Sequence, residues 1–277
     1  MNNNKSKTEN KENGAGVFLR FLYRTVPGRI LLRLLSARWV SSLAGAFLSS
    51  RGSRFLIKPF VKSNGINLSE YISDNFSCFN DCFSRKIKPE KRPFSDAPGD
   101  LCSPCDGLLS AYTIEKNTVF PVKQTSFTVD RLLGDADEAE KFYGGTCLVI
   151  RLCVDNYHRY AFFDSGNVLS SRFIPGKLHT VRPIALEKVP VFTENCRECT
   201  LLETDNFGIC AYIEVGAMLV GKIKNRAVSA FRRGEEKGTF LYGGSTVILL
   251  FAKDSVSVRE EYFNCPELPV KMGEKLN

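Results

Sequence analysis

The sequence predicts an α+β protein in which an N-terminal amphipathic helical module precedes a mostly antiparallel, sandwich-like β domain. Basic and apolar residues alternate at helical spacing near the N-terminus, whereas short apolar, β-branched runs separated by glycine-containing turns fill the chain from about Asp100 onward. The 277 residues, 43% of them hydrophobic, suffice for a sizeable core. We expect a polar, disordered tail at 1–16, a helical module with its linker at 17–99, and a β-rich domain at 100–277.

The helical module carries the excess positive charge of the chain. The formal net charge is +8, yet residues 17–62 contain nine Lys and Arg and no acidic residue. Arg20 and Arg24 are four residues apart, as are Arg29 and Arg33, and apolar side chains lie between them. This pattern is typical of amphipathic helices that lie in the interface of an anionic membrane, so we expect a membrane-binding module.

Two short helices are expected at the start of this module, because Pro27 and Gly28 interrupt the helical pattern. The uncharged run from Trp39 to Ser50 is shorter than the roughly 20 apolar residues that cross a bilayer. The arginines can also form the solvated face of helices packed on the core, and that alternative stays open. No nucleic acid is expected as a partner, because no recognised binding motif accompanies the charge.

Candidate reactive side chains occur in four stretches of the β-rich part. They are Asp106, His158, His179, and the adjacent pair Ser245 and Thr246 in GGSTVILLF. Taken singly, each has an ordinary explanation, such as the capping of a turn by an Asp-Gly pair. Together, Asp, His and Ser suggest an orienting carboxylate, a base and a nucleophile. Ser245 lies outside a G-x-S-x-G elbow, which makes a lipase-like serine hydrolase a weak hypothesis.

Ten cysteines raise the question of disulfides or metal binding. A chain of this size without an apolar leader is expected to hold reduced thiols. The pairs Cys102–Cys105 and Cys196–Cys199 have CxxC spacing and together could ligate zinc, or the first pair could act as a redox switch. A noncatalytic, membrane-bound zinc or redox protein is therefore the alternative function.

The order of motifs along the chain resembles the bacterial type of the phosphatidylserine decarboxylase family. The family's Gly-Ser-Thr processing site matches Gly244, Ser245 and Thr246, and the resemblance extends from about residue 17 to the end of the chain. Further matching segments are RKIKPEKRP (85–93), SPCDG (103–107), VKQTSFTVDRLLG (122–134), NYHR (156–159), IPGKLHTV (174–181), VGAMLVGKI (215–223) and RRGEEKGTF (232–240).

The resemblance implies a proenzyme that cleaves itself. Ser245 Oγ would attack the carbonyl of Gly244, elimination would leave dehydroalanine, and hydrolysis would release ammonia and leave a pyruvoyl group at residue 245. The products would be a large chain (1–244) and a small chain (245–277) that stay together as a heterodimer. The covalent pyruvoyl group is then the expected cofactor, a pyruvate derived from Ser245, and no metal ligand is assigned.

The same resemblance implies decarboxylation of phosphatidylserine to phosphatidylethanolamine, with the pyruvoyl group as electron sink. It implies His158 as base and proton donor, and Asp106 as the carboxylate that fixes the tautomer of this imidazole. Possible auxiliary residues are His179, Thr246 and Tyr157. The expected location is peripheral, on the cytoplasmic face of a bacterial cell membrane, with the anionic lipid surface as partner.

One departure from the family pattern bears on the mechanism. Many relatives have a second histidine three residues after the first, where this chain has Ala161. In those relatives the two reactions can be divided between two histidines. Here His158 must serve both reactions, or His179 or a tyrosine takes a share, so the sequence leaves the proton donor open.

Overall fold

The computed structural model describes residues 17, 19–116, 127–181, 185, 189–217, 223–241, 245–264 and 267–277. The helices are α1 Val26–Leu35, α2 Arg38–Leu48, α3 Ile57–Asn64, α4 Phe79–Phe83, α5 Val129–Leu133, α6 Ala136–Glu140, α7 Val191–Glu194 and α8 Glu261–Asn264. The strands are β1 Gly107–Thr113, β2 Thr146–Leu152, β3 Arg159–Ala161, β4 Gly166–Ile174, β5 Arg197–Thr204, β6 Gly208–Val215, β7 Ile223–Asn225, β8 Ala230–Phe231, β9 Glu236–Phe240, β10 Ser245–Phe251 and β11 Leu268–Val270.

Within these residues the strands form two antiparallel sheets, which confirms the predicted α+β class. The large sheet has the order β11-β1-β2-β10-β6-β5-β4-β8, and the small sheet has the order β3-β9-β7. Strand β10 lies in the interior of the large sheet, paired with β2 on one side and with β6 on the other. All seven of its residues are buried, because its apolar run is covered on both faces.

The two faces of the large sheet meet different partners. On one face the small sheet packs against it, through the ring contact of Tyr160 with Tyr212 and the ion pair of Lys237 with Glu214. On the other face Arg197 donates to the backbone carbonyl of Leu132 in α5. The two sheets thus form an unequal sandwich, with short helices on its outer side.

The N-terminal helices form a separate small core. Leu48, Phe60, Phe76, Phe79, Cys82 and Phe83 pack together there. Many other apolar side chains of this module are exposed. They are Val17, Phe21, Val26, Ile30, Leu31, Trp39, Leu43, Phe47 and Phe55. In the part of the chain that the structure describes, none of the helices combines the length and apolar character that crossing a bilayer requires.

The predicted break between the first two helices falls slightly earlier than expected. Residues 19–24 are helical, the helix is interrupted at Thr25, and α1 already includes Pro27 and Gly28. Proline is tolerated in the first turn because its missing N–H would be unpaired there. The hydroxyl of Thr25 accepts a hydrogen bond from the N–H of Gly28 at 3.0 Å and so caps the start of α1.

Candidate active site

One end of the large sheet holds Asp106, Ser245 and Thr246, three of the candidate residues that the sequence predicted, and we call it the active-site end. Leu108 at the start of β1 and Thr246 at the start of β10 both pair with Arg151 near the end of β2. Asp106 directly precedes β1 and Ser245 opens β10, so the antiparallel register brings both residues to this end. His158 is the last residue of the loop that connects β2 to β3.

Ser245 is buried at the start of the interior strand β10. Its side chain has no exposed surface, and its Oγ has no hydrogen-bond partner among the residues that the structure describes. A buried hydroxyl without a partner costs free energy and calls for an explanation. A nucleophile kept away from water is such an explanation. Gly243 and Gly244, the other side of the predicted scissile bond, lie outside the described residues.

Thr246 shares the burial of Ser245 but belongs to the opposite face of the sheet. Successive residues of a strand point to opposite faces, and Thr246 pairs with Arg151 and Val215. Its hydroxyl likewise has no hydrogen-bond partner in the described ranges. An auxiliary role for Thr246 at the nucleophile would therefore have to act across the strand.

His158 is fully buried between the small sheet and the helical module. Its ring centroid lies 4.0 Å from that of Phe83 in α4. Its backbone carbonyl accepts hydrogen bonds from the N–H of Phe240 at 2.9 Å and the hydroxyl of Thr239 at 3.2 Å. These contacts fix both the backbone and the ring, as a residue that transfers protons requires.

The tautomer of His158 follows from its own loop. Nδ1 lies 2.9 Å from the backbone carbonyl of Asn156. Because a carbonyl oxygen only accepts hydrogen bonds, Nδ1 carries the proton and the lone pair of the neutral ring is on Nε2. The sequence predicted the Asp106 carboxylate in this orienting position, whereas the structure has a backbone carbonyl there.

Asp106 binds Arg92 instead. Its two carboxylate oxygens accept hydrogen bonds from Nε and Nη2 of Arg92 at 2.8 and 2.7 Å, and Oδ1 also accepts from the N–H of Met272 at 2.9 Å. Both side chains are buried, with 8% of Arg92 and 9% of Asp106 exposed. Asp106 thereby ties the linker and the C-terminal segment to the start of β1.

Replacing Asp106 by alanine is expected to lower the free energy of unfolding by about 3–5 kcal/mol, because a buried guanidinium loses its partner. Urea denaturation of Asp106→Ala in a Ser245→Ala background, which excludes the self-cleavage that the family resemblance implies, measures this effect. Glu235→Ala is the matched control, since Glu235 pairs with the half-exposed Arg226 and should contribute less than about 1 kcal/mol. Equal stabilities of the two variants would contradict a structural role of the Asp106 pair.

His179 connects the N-terminal helix to the active-site end. Its Nδ1 lies 3.4 Å from the hydroxyl of Tyr23, and burial lowers the pKa of its imidazole. Its backbone N–H donates to the side chain of Asn195, whose amide donates in turn to the carbonyl of Gly216 at 2.7 Å. Gly216 follows Val215, the β6 residue that pairs with Thr246. His179 is therefore close to the same sheet end but faces the helix.

Tyr157 points away from its neighbour His158. Its hydroxyl accepts a hydrogen bond from the N–H of Ile87 at 3.4 Å, and its ring packs against Tyr71. Burial raises the pKa of Tyr157 to about 12, so its phenol stays protonated at neutral pH. Its contacts are those of a residue that joins the linker to the loop after β2.

A buried ion pair lies on the face of the large sheet that carries Ser245, and the sequence did not predict it. Nζ of Lys237 in β9 lies 2.5 Å from Oε1 of Glu214 in β6, and both side chains are almost completely buried. Burial raises the pKa of Glu214 to about 7, and the neighbouring Lys237 opposes this rise. The available signal was an acidic residue in the otherwise apolar run AYIEVGA.

The CxxC pairs do not assemble a metal site in the described ranges. There, no three His, Cys, Asp or Glu side chains come close enough together to hold a metal ion. Cys102 and Cys105 are buried free thiols, and burial raises the pKa of both. Thiols of this kind are unreactive at neutral pH, so the zinc and redox hypotheses gain no support.

Comparisons with known proteins give a consistent result. The family model described as phosphatidylserine decarboxylase matches residues 79–277. Phosphatidylserine decarboxylase proenzyme 2 of Clostridium acetobutylicum is 42% identical over 263 residues, which cover 93% of this chain and 90% of the relative. The phosphatidylserine decarboxylase proenzyme of Ruminiclostridium cellulolyticum is 40% identical, covering 94% of this chain and 89% of the relative. That of Clostridium kluyveri is 37% identical, covering 99% and 97%.

Proposed function

The chain belongs to the phosphatidylserine decarboxylase family and is a decarboxylase, and on that premise we propose that it first cleaves itself between Gly244 and Ser245. The mature enzyme then converts phosphatidylserine to phosphatidylethanolamine at a membrane surface. The observation that carries this proposal is the buried hydroxyl of Ser245, unpartnered among the described residues at the start of an interior strand. The proenzyme names of the relatives also support a maturation step.

A pyruvoyl group derived from Ser245 fits the surroundings of this residue. The hydroxyl forms no hydrogen bond to any described residue that would have to be broken, and the side chain is shielded from solvent. When formed, the group supplies an electron sink for loss of carbon dioxide from the substrate. The pairing of residue 245 with Leu152 of β2 would hold the new N-terminus in place.

His158 is the base in this proposal. Nε2 takes the proton of Ser245 Oγ as the hydroxyl attacks the carbonyl of Gly244, and the same nitrogen can return a proton to the leaving amine. The carbonyl of Asn156 holds the Nδ1 proton and stabilises the imidazolium that forms. Asp106 acts indirectly, because its pair with Arg92 anchors the start of β1 at the active-site end.

The large and small chains are expected to remain associated after cleavage. Residues 245–251 form ladders with β2 and β6, and residues 268–270 form a ladder with β1. These backbone hydrogen bonds, together with the fully buried side chains of Val247 to Phe251, are independent of the peptide bond at residue 244. The large and small chains would therefore form a heterodimer held together by the large sheet.

The helical module is the proposed contact with an anionic membrane. Its exposed apolar side chains include Trp39 and Leu43, and Arg20, Arg29 and Arg33 are exposed beside them. Apolar residues in the acyl region and arginines among the headgroups would together hold the module at the interface. Because Tyr23 contacts His179 and Phe83 contacts His158, the module covers the active-site end, where lipid headgroups would arrive.

Trp39, the single tryptophan of the chain, reports this binding directly. Its emission is expected to shift to shorter wavelength on adding vesicles that contain phosphatidylserine, and high salt should weaken the response. Arg29→Gln/Arg33→Gln should bind about 30-fold more weakly, at about 1 kcal/mol per arginine for the two arginines. The control Lys253→Gln/Arg259→Gln removes the same charge outside the module and should bind normally. An equal loss in both variants would argue against a localised membrane surface.

The proposed maturation is tested by the mass of the purified protein under denaturing conditions. Two chains are expected, the small one beginning at residue 245 and lighter than the serine form by the mass of ammonia. Formation of phosphatidylethanolamine from phosphatidylserine vesicles tests the activity. A single chain that reacts with a fluorophosphonate at Ser245 would instead support a lipid hydrolase.

A further inference from the structure

The proposed reaction requires a proton to enter a buried site in every turnover. Loss of carbon dioxide from a carboxylate leaves a carbon that must take up one proton from solvent. Ser245 and His158 both have no exposed surface, and Ala161 removes the second histidine of many relatives. Given the proposed decarboxylation, that proton needs a route from solvent to the active-site end.

The Glu214–Lys237 pair lies on the same face of the large sheet as Ser245. Val247 pairs directly with Glu214, and Ser245 is two residues earlier on the same strand, so both side chains point toward the small sheet. Such diagonal neighbours are roughly 7–8 Å apart in a sheet. Glu214 is thus a diagonal cross-strand neighbour of Ser245.

A cavity of about 330 Å³ extends from the surface to Lys237 of this pair. Lys237, whose side chain is 3% exposed, lines it together with Thr200 and Asn225. The exposed residues Ser171 and Arg226 belong to its rim. The volume is sufficient for several water molecules beside polar partners, so the ammonium of Lys237 can exchange protons with solvent.

A hydrogen-bonded network continues inward from the pair. Lys237 also donates to Thr200 Oγ1 at 3.1 Å, and the amide of Asn225 donates to Glu214 Oε2 at 3.2 Å. The hydroxyl of Tyr160 donates to Asn225 Oδ1 at 2.7 Å. A side chain at Gly238 would collide with both Asn225 and Tyr160, so glycine is required there. The network ends at Tyr160, which follows His158 by two residues in the sequence.

We propose that Glu214 and Lys237 form the relay through which solvent protons reach the active-site end during decarboxylation. Protonated Glu214 gives its proton toward the carbon that has lost carbon dioxide and becomes a carboxylate. The ammonium of Lys237 passes a proton to this carboxylate, and water in the cavity restores the ammonium. One proton enters for each carbon dioxide released, so the balance closes.

The electrostatics of the pair suit this role. A buried ion pair seldom stabilises a fold more than apolar residues of the same size would, and a shifted pKa near neutrality is a common mark of functional groups. With its pKa raised to about 7, Glu214 changes protonation in the neutral range. The titratable groups around it are Lys237, Glu198, Tyr160, Tyr212, Cys105 and Cys199.

The test compares Glu214→Gln and Lys237→Met with the wild type in two assays. Chain cleavage is followed by denaturing mass measurement, and decarboxylation of phosphatidylserine vesicles is followed from about pH 6 to about pH 9. Self-cleavage ends in a carboxylate and an ammonium ion and needs no net proton, so both variants should be cleaved completely. Their decarboxylation should be at least about 10-fold slower.

The pH profile separates a relay from a structural role. The wild-type rate should decline with an inflection near pH 7, because protonated Glu214 is lost above its pKa, and Glu214→Gln should lack this inflection. Asp164→Asn is the control, since Asp164 forms a comparable buried pair with Arg233 at 2.8 Å, and its profile should equal that of the wild type. Fully cleaved Glu214→Gln and Lys237→Met with the wild-type rate and profile would overturn the relay.

Thr200→Val keeps the proposal testable if the two charge variants do not fold. This substitution retains both charges and removes one hydrogen bond of Lys237, and it should displace the inflection of the profile. An undisplaced inflection would overturn the relay. A wild-type protein that is cleaved but forms no phosphatidylethanolamine would refute the proposed function itself, which distinguishes the two failures.

Discussion

The Ser245→Ala variant is expected to remain one chain of 277 residues and to form no phosphatidylethanolamine. The substitution removes the hydroxyl that we propose as the nucleophile toward the carbonyl of Gly244, and with it the proposed precursor of the pyruvoyl group. The loss of both activities should be complete within detection, which makes this the largest effect expected of a single substitution. Denaturing mass measurement and a decarboxylation assay with phosphatidylserine vesicles provide the two readouts.

Ser110→Ala is the matched control for this substitution. Ser110 is also a buried serine of the large sheet, and its hydroxyl accepts a hydrogen bond from the backbone of Glu267. Its replacement should lower stability somewhat but leave two chains and an active enzyme. Cleavage of Ser245→Ala at residue 244 would show that another residue is the nucleophile and would remove the basis of the proposed mechanism.

The His158→Asn variant is expected to cleave itself about 10²- to 10⁴-fold more slowly than the wild type, the usual contribution of a positioned general base. Asparagine can keep a hydrogen bond to the carbonyl of Asn156 but cannot accept a proton at neutral pH. The conversion of one chain into two, followed by gel or mass measurement after synthesis, gives the rate.

His179→Asn provides the comparison, because His179 is the other histidine of the chain and contacts the N-terminal helix through Tyr23. We expect this variant to mature at close to the wild-type rate. If His179→Asn stays uncleaved while His158→Asn matures normally, the base is His179 and our assignment of His158 is wrong. A slow rate in both would indicate that self-cleavage divides its proton transfers between them.

Much of the sheet could be predicted because its strands carry their own signals. Short apolar, β-branched runs separated by turns were predicted from about Asp100 onward, and β2, β6 and β10 are such runs. Their alternation and β-branched content follow from local side-chain packing, which a sequence records directly. The break before α1 was misplaced by a few residues, because a proline in the first turn is compatible with a helix.

The partners of the site residues could not be predicted in the same way. Asp106 binds Arg92, and His158 is oriented by the carbonyl of Asn156, although the sequence favoured a direct Asp106–His158 contact. Such choices depend on the path of loops, because a carboxylate and a carbonyl can both accept the Nδ1 proton. The Glu214–Lys237 pair joins residues on two different sheets, so only the packing of the sandwich reveals it.

The interior position of β10 affects the order of folding and cleavage and the ability of the protein to refold. A strand paired on both sides between β2 and β6 cannot be added last as a separate piece without opening the sheet. If the chain cleaves itself as proposed, folding must precede cleavage, and the cut would convert one chain that folds alone into two chains that must first associate. Denatured wild-type enzyme should thus recover poorly on dilution, while the uncut Ser245→Ala chain recovers well. The persistence of the mature enzyme is then a matter of how slowly it unfolds.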